Sequence, residues 1–124
     1  MGIITIGIKK LIEDNAMALA TTDKNGRSHA IAVADCKVIG DKIIISNIHI
    51  RETIKNLEFN NQVSLAVWHK DWENVCIGFE LLGKAINFTK GKWFDFVKNM
   101  PDNEGCDVKS AIVVSVSKIK KLLS

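Results

Sequence analysis

Three histidines, three cysteines and an Arg-Glu-Thr triplet are the groups in this 124-residue chain whose types could do chemistry. His29, His49 and His69 stand twenty residues apart, with no HxxxH pair and no carboxylate at helical or strand spacing, so they do not make a metal-ligand set. Cys36, Cys76 and Cys106 are odd in number, widely separated and without a CxxC pair. That pattern suits reduced, ordinary thiols rather than a disulfide framework or a thiolate zinc site. Ser28-His29 lacks a nucleophile-elbow pattern, and Cys36 falls within a strand rather than at a helix start, so nucleophilic catalysis gains no support. Neither the glycine fingerprint of dinucleotide folds nor the P-loop pattern occurs.

The triplet is more informative. In "SNIHIRETIKNL" an apolar run gives way to a short amphipathic helix, and Arg51 and Thr53 fall in its first turn. Free backbone N–H groups, a hydroxyl and a guanidinium in one place suit a phosphate. Glu52 argues the other way, toward an ordinary helix start, because acidic residues in a first turn complement the helix dipole. Pattern alone leaves both open, a ligand site and a plain helix start. Trp68, Trp72 and Trp93 are similarly divided between packing, in a core or between subunits, and flanking a planar ligand across an oligomer interface.

The elements that must position these groups can be read from periodicity. Ile8, Leu11 and Ile12 predict a helix over residues 6 to 15. "AMALATT" and "RSHAIAVADCKVI" flank "DKNG", whose Asn25-Gly26 pair suits the positive φ of a hairpin turn, and a second turn at Gly40-Asp41 leads into "KIIISN". Residues 27 to 47 thus read as two consecutive strands. After the "RETIKNLEFNN" helix, "QVSLAVW" and the long "NVCIGFELLGKAINFT" read as strands, the latter with Gly78 and Gly83 as bends. "KGKWFDFVKN" presents Trp93, Phe94, Phe96 and Val97 as a buried helix face, stopped by Pro101, and "SAIVVSVSKI" alternates as a half-buried strand. About six strands and three short helices favour an antiparallel barrel over a parallel α/β sheet, with a ferredoxin-like sandwich as the weaker alternative.

Composition narrows the class further. With 47% hydrophobic residues, the length fits one domain with a core that needs no staples. A net charge of +3, from 17 basic and 14 acidic residues spread along the chain, is too mild for a nucleic-acid surface. No apolar run reaches membrane-span length, and the acidic end of "MGIITIGIKKLIEDN" is unlike a signal peptide. The expectation is a cytoplasmic protein without nucleic-acid or membrane partners.

Taken in order, hairpin "DKNG", "SNIHI", "ETIKNLEFNNQVSLAVW", the "GKA" strand and the terminal "AIVVSV" strand resemble the pyridoxamine 5'-phosphate oxidase-like FMN-binding split-barrel family, in its short single-domain form, from Ala16 to Lys118. The resemblance implies a mainly β fold, a six-stranded antiparallel split β-barrel with a few short helices, forming a single domain over 1–124. It also implies a homodimer holding FMN in two grooves at its interface. Ala32, Val33 and Ala34 match the segment that runs beside the ribityl-phosphate; Ser46, Asn47 and Ile48 match the segment whose main chain meets the edge of the flavin ring. Relatives often read Asn-Lys-Thr where this chain has Arg51, Glu52 and Thr53. Thr53 matches, Glu52 replaces the usual Lys, and Arg51 can supply the missing charge while Glu52 faces solvent or pairs with Lys55 or Lys37. The function implied is a small electron carrier or FMN-dependent oxidoreductase, in which no side chain is assigned a catalytic role and the redox partner or substrate is open. The alternative is a binding module on the same barrel that has lost the phosphate site and works without flavin or with another cofactor, a deazaflavin or haem.

Overall fold

The computed structural model describes residues 2–123. Helix α1 (Ile6–Asp14) forms where the apolar spacing places it, and both of its ends are closed by side chains. The Thr5 hydroxyl accepts from the Ile8 amide at 3.2 Å, and the Asn15 side-chain amide donates to the Leu11 carbonyl at 2.8 Å. Strands β1 (Met17–Thr22) and β2 (Ser28–Val33) make the expected antiparallel hairpin. Its turn is built differently from the Asn-Gly expectation, since only Gly26 takes a positive φ, of 80°. Asp23 does the closing instead: its carboxylate accepts the amides of Asn25 and Arg27 at 2.8 and 2.9 Å.

The segment expected to be one strand over residues 27 to 39 is two. Asp35 adopts φ 55°, a left-handed conformation that extended pairing cannot accommodate, so the chain breaks into β2 and β3 (Lys37–Ile39). Next come β4 (Lys42–Asn47), α2 (Glu52–Phe59), β5 (Gln62–Trp68), β6 (Gly78–Phe88), α3 (Lys92–Lys98), a 3-10 turn (Pro101–Asn103) and β7 (Ser110–Lys121). The sheet therefore has seven strands rather than six, in the order β2-β1-β5-β6-β7-β4-β3, antiparallel throughout.

That order forces the sheet to curl. Laid flat, seven strands span about 29 Å between the outermost axes. Yet the two edge strands are joined through residues 34–36, four Cα steps that reach about 15 Å at most. The edges come together without a ladder between them, so the sheet does not close. At this seam the exposed edge of β3 is blunted, because the Val38 amide donates to the Glu13 carboxylate of α1 at 2.8 Å.

The concave side holds the main core, with Met17, Leu19, Ile43, Ile45, Leu65, Leu81, Ile112 and Val114 at most 1% exposed. Helix α1 adds Ile12 to it and packs on β3 and β5. Helix α2 packs on β1, β2 and β6 and adds Leu57; its Asn56 amide donates to the Thr21 hydroxyl at 3.0 Å. A register shift at Leu82/Gly83 bends β6 around β7, and a Cβ at Gly83 would run into the Ser115 carbonyl oxygen. A second core lies on the convex side, where α3 covers Ile44, Ala111 and Val113 with Val97, Trp93 and Phe94. Strand β7 is for this reason buried on both faces from Ser110 to Val114, and alternates only afterwards. Phe96, expected on the buried face of α3, is instead 37% exposed. Among the described residues no helix is long and apolar enough to cross a membrane.

Candidate functional site

The junction between β4 and α2 is held by Asn47. As the third inward residue after Ile43 and Ile45, it is buried, and a buried amide must find partners. Its Nδ2 donates to the Ser110 hydroxyl at 2.8 Å, its Oδ1 accepts the Ile50 amide at 2.7 Å, and its carbonyl accepts the Lys109 amide at 2.8 Å. Ile50 is thereby fixed two residues before the helix begins at Glu52.

Helix α2 itself starts open. Its N-cap residue is Arg51, and no side chain accepts from the first-turn amides. A cap by Ser, Thr, Asp or Asn is the usual remedy for such orphan donors. Thr53 in that turn is 1% exposed, and its hydroxyl is buried without a hydrogen-bond partner. Arg51 is exposed and forms no ion pair among the described residues. Glu52 turns to Lys55, Oε1 to Nζ 3.6 Å, on an open surface; Lys37, the other partner considered, pairs with Asp102 at 3.7 Å. Small clefts of about 300 Å³ flank the helix, one toward the Asp23 hairpin, the other lined by Ile54, Leu57, Ala85 and Asn87. Together these groups can receive an anion: amide donors, a hydroxyl without a partner and a free guanidinium.

The remaining candidate residues are distributed around the seam. Ala32 and Ala34 are exposed and Val33 is buried, at the end of β2 where the chain enters the break. Three residues past Ala34, Lys37 pairs with Ile44 on β4, so the two candidate segments lie on either side of β3. Ser46 faces the convex side, where its hydroxyl accepts from the Asn103 amide at 2.8 Å, while Ile48 packs into the second core. The side chain of Ser46 is thus committed to α3 and the turn after it, leaving main-chain groups as what the end of β4 can offer.

Two polar residues of this region escaped sequence reasoning. Asn87 sits at the end of β6 on the same face as Ala85, and its Oδ1 is buried without a partner. Asn103 joins three elements, donating to the Val97 carbonyl at 2.7 Å as well as to Ser46. For Asn87 the available signal was a polar residue at an inward position of a strand; for Asn103, in a turn, there was none. The other candidates stay apart. His29 lies on β2, His49 before α2 and His69 after β5, and among the described residues no three His, Cys, Asp or Glu side chains gather. Cys36 is fully buried, and that burial, followed by the neighbouring Asp35 charge, pushes its thiol up to about 12. Trp93 packs in the second core beneath Lys92, whose Nζ is 4.9 Å from the ring centroid, whereas Trp68 remains 41% exposed.

No family model and no curated protein matches this sequence. Solved structures do match its shape. The tagged HupZ of Group A Streptococcus has a TM-score of 0.87 at 22% identity, over 98% of this chain and 96% of that one. An FMN-binding protein from Syntrophomonas wolfei has a TM-score of 0.78 at 21% identity, over 92% and 82%. A Clostridium acetobutylicum protein related to general stress protein 26, of the pyridoxinephosphate oxidase family, has a TM-score of 0.67 at 18% identity, over 98% and 90%. The chain has the fold of the FMN-binding and pyridoxamine 5'-phosphate oxidase-like structures.

Proposed function

We infer that this chain binds FMN as a homodimer, with the cofactor in grooves at the interface, and serves in the cytoplasm as a small electron carrier or flavin-dependent oxidoreductase. The observation that carries the reading is the buried Thr53 hydroxyl without a partner at a helix start that has no cap. An unsatisfied buried hydroxyl costs about 1–3 kcal/mol, and a phosphate oxygen would remove that penalty once the Thr53 side chain turned toward the open helix start. Thr53 and the first-turn amides of α2 would hold the phosphate, and Arg51 would add a positive charge from the exposed side. The Glu52–Lys55 pair keeps the carboxylate occupied and places a compensating ammonium beside it, so the replacement of the usual Lys is partly offset. Main-chain groups of Ser46, Asn47 and Ile48 would meet the ring edge, and the small exposed side chains of Ala32 and Ala34 leave room for the ribityl chain beside Val33. Bound FMN supplies the redox chemistry; these residues orient it and control access to it.

The test is direct. Purified protein mixed with FMN and passed through a desalting column should retain flavin absorption and quench flavin fluorescence. Arg51→Ala combined with Thr53→Ala should weaken that binding and leave the dimer intact. Colourless protein that leaves FMN fluorescence unchanged would refute the reading in favour of a flavin-free module. Unchanged affinity in the double variant would remove these two residues from the phosphate role.

A further inference from the structure

A further hollow lies away from α2. It is a groove of about 700 Å³ between α1 and the start of β6, a size that suits a small organic ligand. Its floor is apolar, built from Ile8, Leu11, Ile77 and Phe79, and Ile77 is left 49% exposed. A large aliphatic side chain open to water beside such a floor is a feature that a ligand would cover. Its polar lining is Thr5, Lys10, Asp14, Asn15, His69 and Lys70, of which Thr5, Lys10, Asp14 and Lys70 are exposed. Lys10 is paired with Asp14 at 3.0 Å, whereas Lys70 forms no ion pair among the described residues. His69, next to it, is held by its own loop: its amide donates to the Ile77 carbonyl at 2.8 Å, and its Nδ1 accepts the Asp71 amide at 3.0 Å. With Nδ1 an acceptor, the neutral ring carries its proton on Nε2, which is then a donor.

We propose that this groove binds a small apolar carboxylic acid, its hydrocarbon part on the Ile8, Leu11, Ile77 and Phe79 floor and its carboxylate at Lys70 and His69. Charge favours this occupant over a neutral or cationic one, because the Lys10–Asp14 pair cancels and leaves one free ammonium at the rim. The site is separate from the α2 junction and does not depend on FMN.

Calorimetric titration with decanoate, decanol and decyltrimethylammonium tests it, in the presence and absence of FMN. Decanoate should bind saturably below its micellar range, about five-fold more tightly than decanol, and the ammonium should not bind saturably. Lys70→Glu should remove the preference for decanoate while leaving decanol affinity and FMN binding unchanged. Amide resonances of Ile8, Leu11, Ile77 and Phe79 should shift with decanoate, and those of α2 should not. Equal affinity for decanoate and decanol, absence of saturable binding, or shifts centred elsewhere would overturn the proposal. So would loss of the dimer in Ile77→Lys, which would assign the groove to a second copy of the chain.

Discussion

Replacing Thr53 by Val separates the two uses to which that residue can be put. Val has nearly the shape of Thr and a similar helix propensity, so the exchange removes the hydroxyl with little else. In the protein without ligand the hydroxyl is buried and unpartnered, and taking it away should stabilise the fold by about 1–2 kcal/mol. For a chain of this length that corresponds to a Tm higher by roughly 4–8 °C. With FMN present the sign reverses. A hydroxyl donating to a charged phosphate oxygen is worth about 1.5–3 kcal/mol, so its loss should weaken FMN binding by roughly 10- to 150-fold. Thermal unfolding with and without FMN, together with a fluorescence titration, reads both effects. A variant less stable without ligand would mean that the hydroxyl is satisfied inside the protein. A variant that is more stable and binds FMN as well as before would mean that the orphan hydroxyl is a packing defect and no part of a phosphate site.

Three further outcomes are expected. Glu52→Lys should tighten FMN binding several-fold while changing urea stability by less than about 0.5 kcal/mol, since both partners of the Glu52–Lys55 pair are more than half exposed; unchanged or weaker binding would place the phosphate elsewhere. Gly83→Ala should destabilise by about 3 kcal/mol, seen as a lower urea midpoint, because its Cβ meets the Ser115 carbonyl across the central β6–β7 ladder; a neutral effect would show that the bulge can open. Cys36 should resist thiol reagents while Cys76 and Cys106, both exposed, react rapidly. Its folded thiol stays protonated to about 12, whereas the unfolded one ionises at 9.0, so the unfolded state releases its proton first and stability falls as pH rises between these values. The loss is about 1.4 kcal/mol per pH unit, and the chain has no Tyr whose ionisation would mask it; a Cys36→Val variant should show a flatter slope over the same range.

Most of the elements were legible because their signals are local. Ile8, Leu11 and Ile12 mark α1, and the β-branched run of β4 marks a strand whichever neighbour it pairs with. What failed to show was any feature decided by two distant segments. The break at Asp35 carries no Gly or Pro to announce it, and it exists because β2 and β3 must reach opposite edges of one curled sheet. Strand β7 reads as half-buried until α3 covers its outer face, and Phe96 reads as buried until the helix is set down with that side chain outward. The same division holds for the site. Thr53 could be named from the sequence, but its burial without a partner, the orphan oxygen of Asn87 and the commitment of Ser46 to Asn103 follow from packing.

The choice between a ligand site and a plain helix start is also changed by the packing. A corner needs its backbone groups satisfied, and the usual device at a strand-to-helix corner is a capping side chain at the helix itself. Here the corner is secured upstream, by the Asn47 amide that ties Ile50 and Ser110 together. Because Asn47 already fixes where the chain turns, an Arg can stand at the N-cap of α2 and the first-turn amides can stay open without loss of the corner. Glu52 is likewise drawn aside, by Lys55 one helical turn on. What sets this start apart from a plain corner is the Thr53 hydroxyl buried unpaired in its first turn, and the Thr53→Val exchange decides whether that hydroxyl serves an anion or is a packing defect.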